Sequence, residues 1–118
     1  MSIQRISVNP RLSGVVVHNG LAWLSGQVPD DRSQDCAGQT RQILAKIDAL
    51  LAQSGSDKSK LLSAQIWLKD IGSDFAAMNE VWSQWLPEGT APARATIQAD
   101  LASPDVLVEI MLTAAIDA

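Results

Sequence analysis

The stretch Val106-Leu107-Val108-Glu109-Ile110-Met111-Leu112-Thr113-Ala114-Ala115-Ile116 decides the fold. Its apolar run is typical of a strand buried on both faces, yet Glu109 lies in its middle. An unpaired carboxylate there would be strongly destabilising or would stay protonated. In the earlier stretch Ala91-Pro92-Ala93-Arg94-Ala95-Thr96-Ile97 a guanidinium stands among small residues. We therefore expect Arg94 and Glu109 to meet in one small enclosed polar site, either as a structural ion pair or as a ligand site.

The N-terminal quarter has the pattern of a β-hairpin. Residues 14–18 and 21–26 are β-rich runs on either side of Asn19-Gly20, a dipeptide that strongly favours a two-residue hairpin turn. Residues 3–8 are predicted as a further strand. The first part of the chain is therefore expected to be β-structure.

Two helical segments follow, with a strand at 61–68 between them. Residues 34–53 carry apolar side chains at helical spacing, and Gly55 is placed to end that helix. Asp74 is predicted to cap the second helix, which stops before Pro87 and Gly89. Its apolar face is predicted to consist of Phe75, Met78, Trp82 and Trp85.

Two final strands, at about 92–101 and 106–116, complete the order β-β-β-α-β-α-β-β. This order predicts one α+β domain over residues 1–118, with two helices on one face of a sheet. Both final strands are apolar on both faces, whereas a sheet with one solvent-exposed face should alternate. We therefore expect this surface to close into a barrel or to meet other subunits, and self-association is the favoured alternative.

Composition narrows the classes of function. The chain has 118 residues and a formal net charge of −4, with nine scattered Lys and Arg residues, which argues against a nucleic-acid surface. Cys36 is the only cysteine and has no histidine near it in sequence, so a disulfide, a CxxC metal site and a reactive nucleophile are not expected. Neither a signal peptide nor a membrane span is predicted, and a cytoplasmic location is the default expectation.

Several motifs, taken together, resemble the RidA/YjgF (Rid) superfamily of reactive-imine deaminases. The resemblance covers nearly the whole chain in the right order, and its most specific part is PAR(x)T followed by PDVLVEI. The matching segments are Ser25-Gly26-Gln27, Asp74-Phe75 with Asn79, Pro92-Ala93-Arg94, and the final strand with Glu109. This family implies a chorismate-mutase-like fold, a homotrimer with a central barrel, and three sites between neighbouring subunits.

The resemblance also implies roles for individual residues. Arg94 is similar to the family arginine that binds the substrate carboxylate, and Glu109 to the glutamate that positions and activates water. Ser25 and Gly26 match the segment that lines the pocket, and Asn79 matches a helix asparagine of the same region. No metal or organic cofactor is implied.

The chain departs from the family pattern at two substrate-binding positions. It has Leu12 where deaminating members have a tyrosine, and Thr96 where many have a cysteine. The expected function is hydrolytic deamination of 2-imino or enamine acids to 2-keto acids and ammonia, with Thr96 helping to orient the imine. A non-catalytic binding module for small carboxylates is the alternative, and it is favoured by the missing tyrosine.

Overall fold

The computed structural model describes residues 2–116, so residues 1, 117 and 118 of the predicted domain lie outside the described part. The predicted order of strands and helices is confirmed. The elements are β1 (Gln4–Val8), β2 (Ser13–His18), β3 (Leu21–Leu24), α1 (Cys36–Ser54), β4 (Leu61–Leu68), α2 (Ile71–Trp85), β5 (Ala93–Gln98) and β6 (Val108–Ala115), with a short 3-10 turn at Lys58–Lys60 before β4.

The strands form one six-stranded sheet in the order β1-β2-β3-β6-β4-β5. The last strand, β6, therefore lies inside the sheet, antiparallel to both β3 and β4. The edge strand β5 runs parallel to β4, and α2 makes the crossover that a parallel pair requires. Insertion of β6 between β3 and β4 explains why its sequence is that of a buried strand.

The predicted hairpin is present between β2 and β3. Asn19 and Gly20 both adopt positive φ, 53° and 74°, as a type I′ turn requires. Val15 then pairs with Leu24 and Val17 with Ala22, which directs these apolar side chains towards the core. The turn thus fixes the register that buries this part of the sheet.

Both helices contribute apolar side chains to the core on one face of the sheet. The residue that ends α1 was predicted correctly, whereas the residue that caps α2 was not. The carboxylate of Asp35 caps α1 by accepting from Gly38 N, and Gly55 ends it as predicted. The predicted N-cap of α2 at Asp74 is wrong, because Asp70 fills that role and accepts from Ser73 N at 3.2 Å. Asp74 instead lies in the first turn, where a carboxylate also favours the positive end of the helix.

Within one chain, neither of the two final strands is buried on both faces. In β6, Val108, Ile110, Leu112 and Ala114 are buried, while the alternate side chains are only partly covered. In β5 nearly every residue is exposed because this strand forms the edge of the sheet. The alanines of β5 increase the apolarity of the sequence without being buried in the chain.

Cys36 lies at the first position of α1, buried against α2. Its Sγ is 3.9 Å from the carbonyl oxygen of Asp74 and 4.0 Å from Thr40 Oγ1. Burial, reinforced by the carboxylate of Asp74, raises the thiol pKa to about 11. The thiol is therefore protonated at neutral pH.

Within residues 2–116, neither helix is long and apolar enough to cross a bilayer.

Candidate active site

Arg94 projects from β5 towards α2. Its Nη1 donates a 2.8 Å hydrogen bond to Asn79 Oδ1. The guanidinium carbon lies 6.0 Å from the ring centroid of Phe75 and 5.9 Å from that of Trp82. These three α2 residues recur at helical spacing on one face, so one helix surface both orients the guanidinium and stacks against it.

The open cavity in front of this group is called here the arginine pocket. It has a volume of about 320 Å³ and is lined by Ile71, Phe75, Arg94 and Thr96. Partial burial lowers the pKa of Arg94, although a guanidinium stays protonated in proteins. The hydroxyl of Thr96 is buried and lacks a hydrogen-bond partner within residues 2–116. The pocket therefore offers a fixed cation, an apolar wall and one unused hydroxyl.

Glu109 lies away from the arginine pocket, beside a β-bulge that follows β3. Trp23 pairs with Thr113 and Gln27 with Ile110, so four steps along one strand correspond to three along the other. The extra residue creates a β-bulge at Ser25 and Gly26, a feature common beside active sites. The Gln27 side chain secures the bulge by donating to Ser25 O at 3.1 Å and to Ser25 Oγ at 3.2 Å.

Gly26 is required by the position of the Glu109 carboxylate. A Cβ atom at residue 26 would overlap Oε2 of Glu109, so no larger residue fits without moving the acid. Burial raises the pKa of Glu109 above its ordinary value. At the bulge, the backbone of Gly26 therefore lies close to the Glu109 carboxylate, whose pKa is higher than usual.

A second cavity, called here the bulge pocket, lies next to this segment. It has a volume of about 420 Å³, with Leu12, Ser25, Gly26, Lys46 and Leu50 in its walls. Leu12 is 51% exposed. The structure therefore groups the predicted site residues into two sets, one around Arg94 and one around Gly26.

The two charged side chains of these sets lie on opposite faces of the sheet. Arg94 is in register with Ala64 of β4, and Glu109 with Trp67 of the same strand. Positions three apart on a strand face opposite sides, so the two side chains diverge. The expectation that Arg94 and Glu109 meet in one enclosed site of a single chain, as an ion pair or otherwise, is wrong.

The sequence pattern does not identify the apolar wall of the arginine pocket. It predicts Phe75 in the buried stripe of α2, yet this side chain is 41% exposed and borders the cavity. Met78 and Trp82 of the same stripe are buried as predicted. The available signal was that Phe75 precedes Asn79 by one helical turn, which places both on the Arg94 side.

The chain is thus a small α+β protein in which two helices pack on one six-stranded sheet, and it carries the two pockets described above. A family model described as Endoribonuclease L-PSP matches residues 2–116. The chain is 46% identical over 115 residues to a RutC family protein of Haemophilus ducreyi, covering 98% of this chain and 97% of that protein. It is also 46% identical over 116 residues to the RutC family protein YoaB of Escherichia coli, covering 98% of this chain and 100% of the relative.

Solved structures agree with these sequence matches. A member of the YjgF protein family from Neisseria meningitidis superposes with a TM-score of 0.96 at 46% identity, covering 100% of this chain and 98% of that one. An uncharacterised protein from Pseudomonas aeruginosa superposes with a TM-score of 0.95 at 43% identity, covering 98% of this chain and 100% of that one. The chain belongs to the RidA/YjgF superfamily, which includes the RutC proteins and is described by the Endoribonuclease L-PSP model.

Proposed function

We propose that this protein is a hydrolase that converts reactive 2-imino or enamine acids to 2-keto acids and ammonia. The observation that supports this most is the division of the site. Arg94 is held ready to bind a carboxylate on one face of the sheet, while Glu109, with a raised pKa, faces the other side. A second copy of the chain is needed to bring the two groups to one ligand.

The assembly we propose is a homotrimer whose sheets form a central barrel. Large apolar side chains remain exposed on single chains, including Trp23, Ile97 and Met111 at 41%, 45% and 40%. Scattered apolar residues are normal on a surface, but these three occupy β3, β5 and β6, where alternation directs them to the same side as Glu109. Covering this side with other subunits also carries Glu109 to a subunit boundary.

The proposed chemistry needs only protein side chains and water. Arg94 binds the substrate carboxylate through a planar fork of two N–H groups. Glu109 accepts a proton from water as the oxygen bonds to the imine carbon, and the C=N electron pair moves to nitrogen. Glu109 then returns this proton to nitrogen, which gives a carbinolamine. In the second step Glu109 takes the hydroxyl proton and passes it to nitrogen as the C–N bond breaks, so that the C–O electron pair forms the carbonyl and ammonia leaves.

Two further groups orient the imine in this proposal. The Thr96 hydroxyl, which has no hydrogen-bond partner in the described part of the chain, lies beside the carboxylate anchor, and the bulge at Ser25 and Gly26 presents backbone groups beside Glu109. Both are positioned before substrate arrives, which lowers the entropic cost of reaching the reactive geometry. The proposal involves no metal or organic cofactor.

Subunit complementation tests the shared site directly. Arg94→Ala and Glu109→Gln should each be inactive alone, because every site then lacks one group. Refolding the two variants together should restore about a quarter of the natural rate, since each site draws its two side chains independently from two copies. Imine hydrolysis is followed as keto-acid release with an amino-acid oxidase supplying 2-iminopropanoate.

The matched control mixes Arg94→Ala protein with the double variant that lacks both groups, and it should stay inactive. Light scattering on each sample should give about three times the mass of the 12.6 kDa chain. Activity that stays absent in the complementary mixture, with the trimer intact, would exclude a site shared in this way. A monomer would exclude the assembly.

A non-catalytic module that binds small carboxylates is the second candidate. Leu12 favours it, because this side chain borders the bulge pocket but supplies no hydroxyl for proton transfer. Binding of pyruvate without any acceleration of imine hydrolysis would support this function. A nuclease function is less suited to the chain, since its net charge is −4 and its cations are scattered.

A further inference from the structure

We propose that Gln39 of α1 is a positioning residue for Glu109. The inference rests on the proposed function, because Glu109 is the group assigned there to proton transfer. Gln39 lines neither the arginine pocket nor the bulge pocket. Its amide instead binds the backbone of two segments beside Glu109. They are called here the post-bulge segment (residues 28–34) and the lead-in segment (residues 105–107).

The Gln39 side chain has 0% exposure, and both ends of its amide are used. Its Oε1 accepts a 2.8 Å hydrogen bond from Leu107 N. Its Nε2 donates to Asp105 O at 3.0 Å and to Gln34 O at 3.1 Å, with a longer 3.4 Å contact to Arg32 O. Arg32 and Asp105 also form a 3.6 Å salt bridge, but both side chains are exposed to solvent. The buried amide is therefore the stronger link between the two segments.

The lead-in segment runs directly to Glu109. Leu107 precedes β6, and Glu109 is the second residue of that strand. The carbonyl oxygen of Leu107 still accepts from Lys69 N at 3.0 Å, as in a continuing strand pair. Its N–H donates to the Gln39 side chain, so this side chain fixes the backbone where the strand pairing ends. The position of the start of β6, and with it Glu109, therefore depends on Gln39.

The post-bulge segment is held to α1 at three points. Lys46 Nζ donates to Val28 O at 2.9 Å. Gln42 forms two 2.9 Å hydrogen bonds with the backbone of Asp31. Gln39 is the third point, and within residues 2–116 it is the one of these three side chains that also binds the lead-in segment. Gln39 therefore connects the segment that follows the bulge to the strand that carries Glu109.

The packing at the bulge makes this connection important. A Cβ atom at residue 26 would overlap Glu109 Oε2, so the carboxylate lies directly against the backbone of Gly26. Gln27 and Ile110 exchange hydrogen bonds of 2.8 and 3.1 Å, which fixes the spacing just after Glu109. Gln39 fixes it just before Glu109. A displacement of about 1 Å in such an arrangement can cost about a hundredfold in rate.

Gln39→Met tests the inference, because methionine is similar in size and shape to glutamine but cannot make its hydrogen bonds. Gln42→Met is the matched control, since it is the same change on the same helix and frees the same post-bulge segment without touching the lead-in segment. Saturated turnover of 2-iminopropanoate should fall about ten- to a hundredfold in Gln39→Met and stay within about twofold in Gln42→Met. Pyruvate affinity should stay within about twofold in both, because neither residue lines the arginine pocket.

NMR follows the Glu109 carboxyl group without reference to catalysis. The chain has three glutamates, so isotopic labelling of glutamate carboxyls gives few signals, and the Glu109→Gln spectrum identifies the one from Glu109. Burial raises the pKa of Glu109 in the natural protein. Loosening the start of β6 admits water, so its titration midpoint should fall towards the ordinary value of 4.5 in Gln39→Met and stay raised in Gln42→Met.

The outcomes distinguish the positioning role from the proposed function. Equal losses in the two methionine variants, or a loss of pyruvate affinity that matches the loss of turnover, would show a general structural role and overturn the inference. Unchanged turnover and midpoint in Gln39→Met would also overturn it and leave the proposed function standing. Absence of imine hydrolysis in the natural protein would overturn the proposed function, and the Glu109 midpoint would then decide the positioning role alone.

Gln39→Asn provides a second variant if Gln39→Met does not assemble like the natural protein in light scattering. Asparagine keeps the amide but is one methylene shorter, so it cannot reach both segments at once. Turnover and the Glu109 midpoint should fall as in Gln39→Met, again with pyruvate affinity retained. Natural values of both in Gln39→Asn would overturn the inference.

Discussion

The arginine pocket and the Glu109–Gly26 region hold their charged groups in different ways. Arg94 is fixed by a hydrogen bond from its own chain to Asn79 and by two aromatic rings. Glu109 is placed by close packing against a glycine, and burial raises its pKa. The Arg94 guanidinium therefore has a fixed orientation and a fixed charge. The Glu109 carboxylate, in contrast, lies where burial has raised its affinity for a proton.

This difference suits the two groups to different roles, anion binding for Arg94 and proton transfer for Glu109. A group that stays charged and keeps its geometry is suited to binding an anion, because its hydrogen-bond donors are already arranged. A carboxylate whose pKa is raised by burial is better suited than an ordinary carboxylate to accepting a proton and returning it. Changes in the first region should alter affinity, and changes in the second should alter the chemical step.

The largest expected effect is that of Glu109→Gln. It should slow imine hydrolysis by roughly a hundred- to ten-thousand-fold, as the loss of a general base does, while pyruvate affinity is retained. Turnover and calorimetric affinity on the same preparation provide the measurement. Equal turnover in variant and natural protein would remove the catalytic role and leave the carboxylate-binding module as the better function.

Arg94→Lys should have the next largest effect. It keeps the charge but loses the bidentate fork and the planar contact with Phe75, so pyruvate affinity should fall about ten- to a hundredfold. Hydrolysis of 2-imino acids should fall with it while the trimer persists in light scattering. Unchanged affinity in an assembled variant would place carboxylate binding elsewhere.

A smaller effect is expected for Asn79→Ala, which removes the hydrogen bond that orients Arg94. The loss of one hydrogen bond to a charged group predicts a decrease in pyruvate affinity of about tenfold. Turnover at saturating substrate should change less than affinity, because Glu109 is on the other face. A decrease confined to saturated turnover would contradict the division described above.

The smallest expected effect is on stability and concerns pH. Folding raises the pKa of Glu109, so the fold favours its protonated form. The stability this contributes is complete at low pH and is lost as pH rises from the ordinary value of 4.5 through the raised pKa. The melting temperature of Glu109→Gln relative to the natural protein should therefore increase across that window. A difference that is flat with pH would show that Glu109 titrates normally.

The sequence was sufficient for the order of elements because each had a local signal. Asn19-Gly20 determined a hairpin, and Gly55 determined a helix end. The α2 cap was mistaken because Asp70 and Asp74 stand four residues apart, and both precede apolar residues at helical spacing. The choice depended on which turn docks on the sheet, which is a tertiary effect.

The opposite facing of Arg94 and Glu109 was beyond the reach of a local pattern. It follows from the placement of β4 between their two strands and from a register that pairs them with residues 64 and 67. Neither the strand order nor the register is encoded in the alternation of one segment. Phe75 was missed for a related reason, since exposure beside an edge strand depends on where the sheet ends.

The reactivity of the buried thiol at the start of α1 can be used to measure how often α1 and α2 separate. Thiol-reactive dyes attack the thiolate, and Cys36, with a pKa of about 11 and packed against the Asp74 carbonyl, cannot react while the helices remain together. Because the chain has a single cysteine, no other site contributes to the signal. The labelling rate under native conditions, divided by the rate for the unfolded chain, thus gives the fraction of molecules in which α1 and α2 have transiently separated.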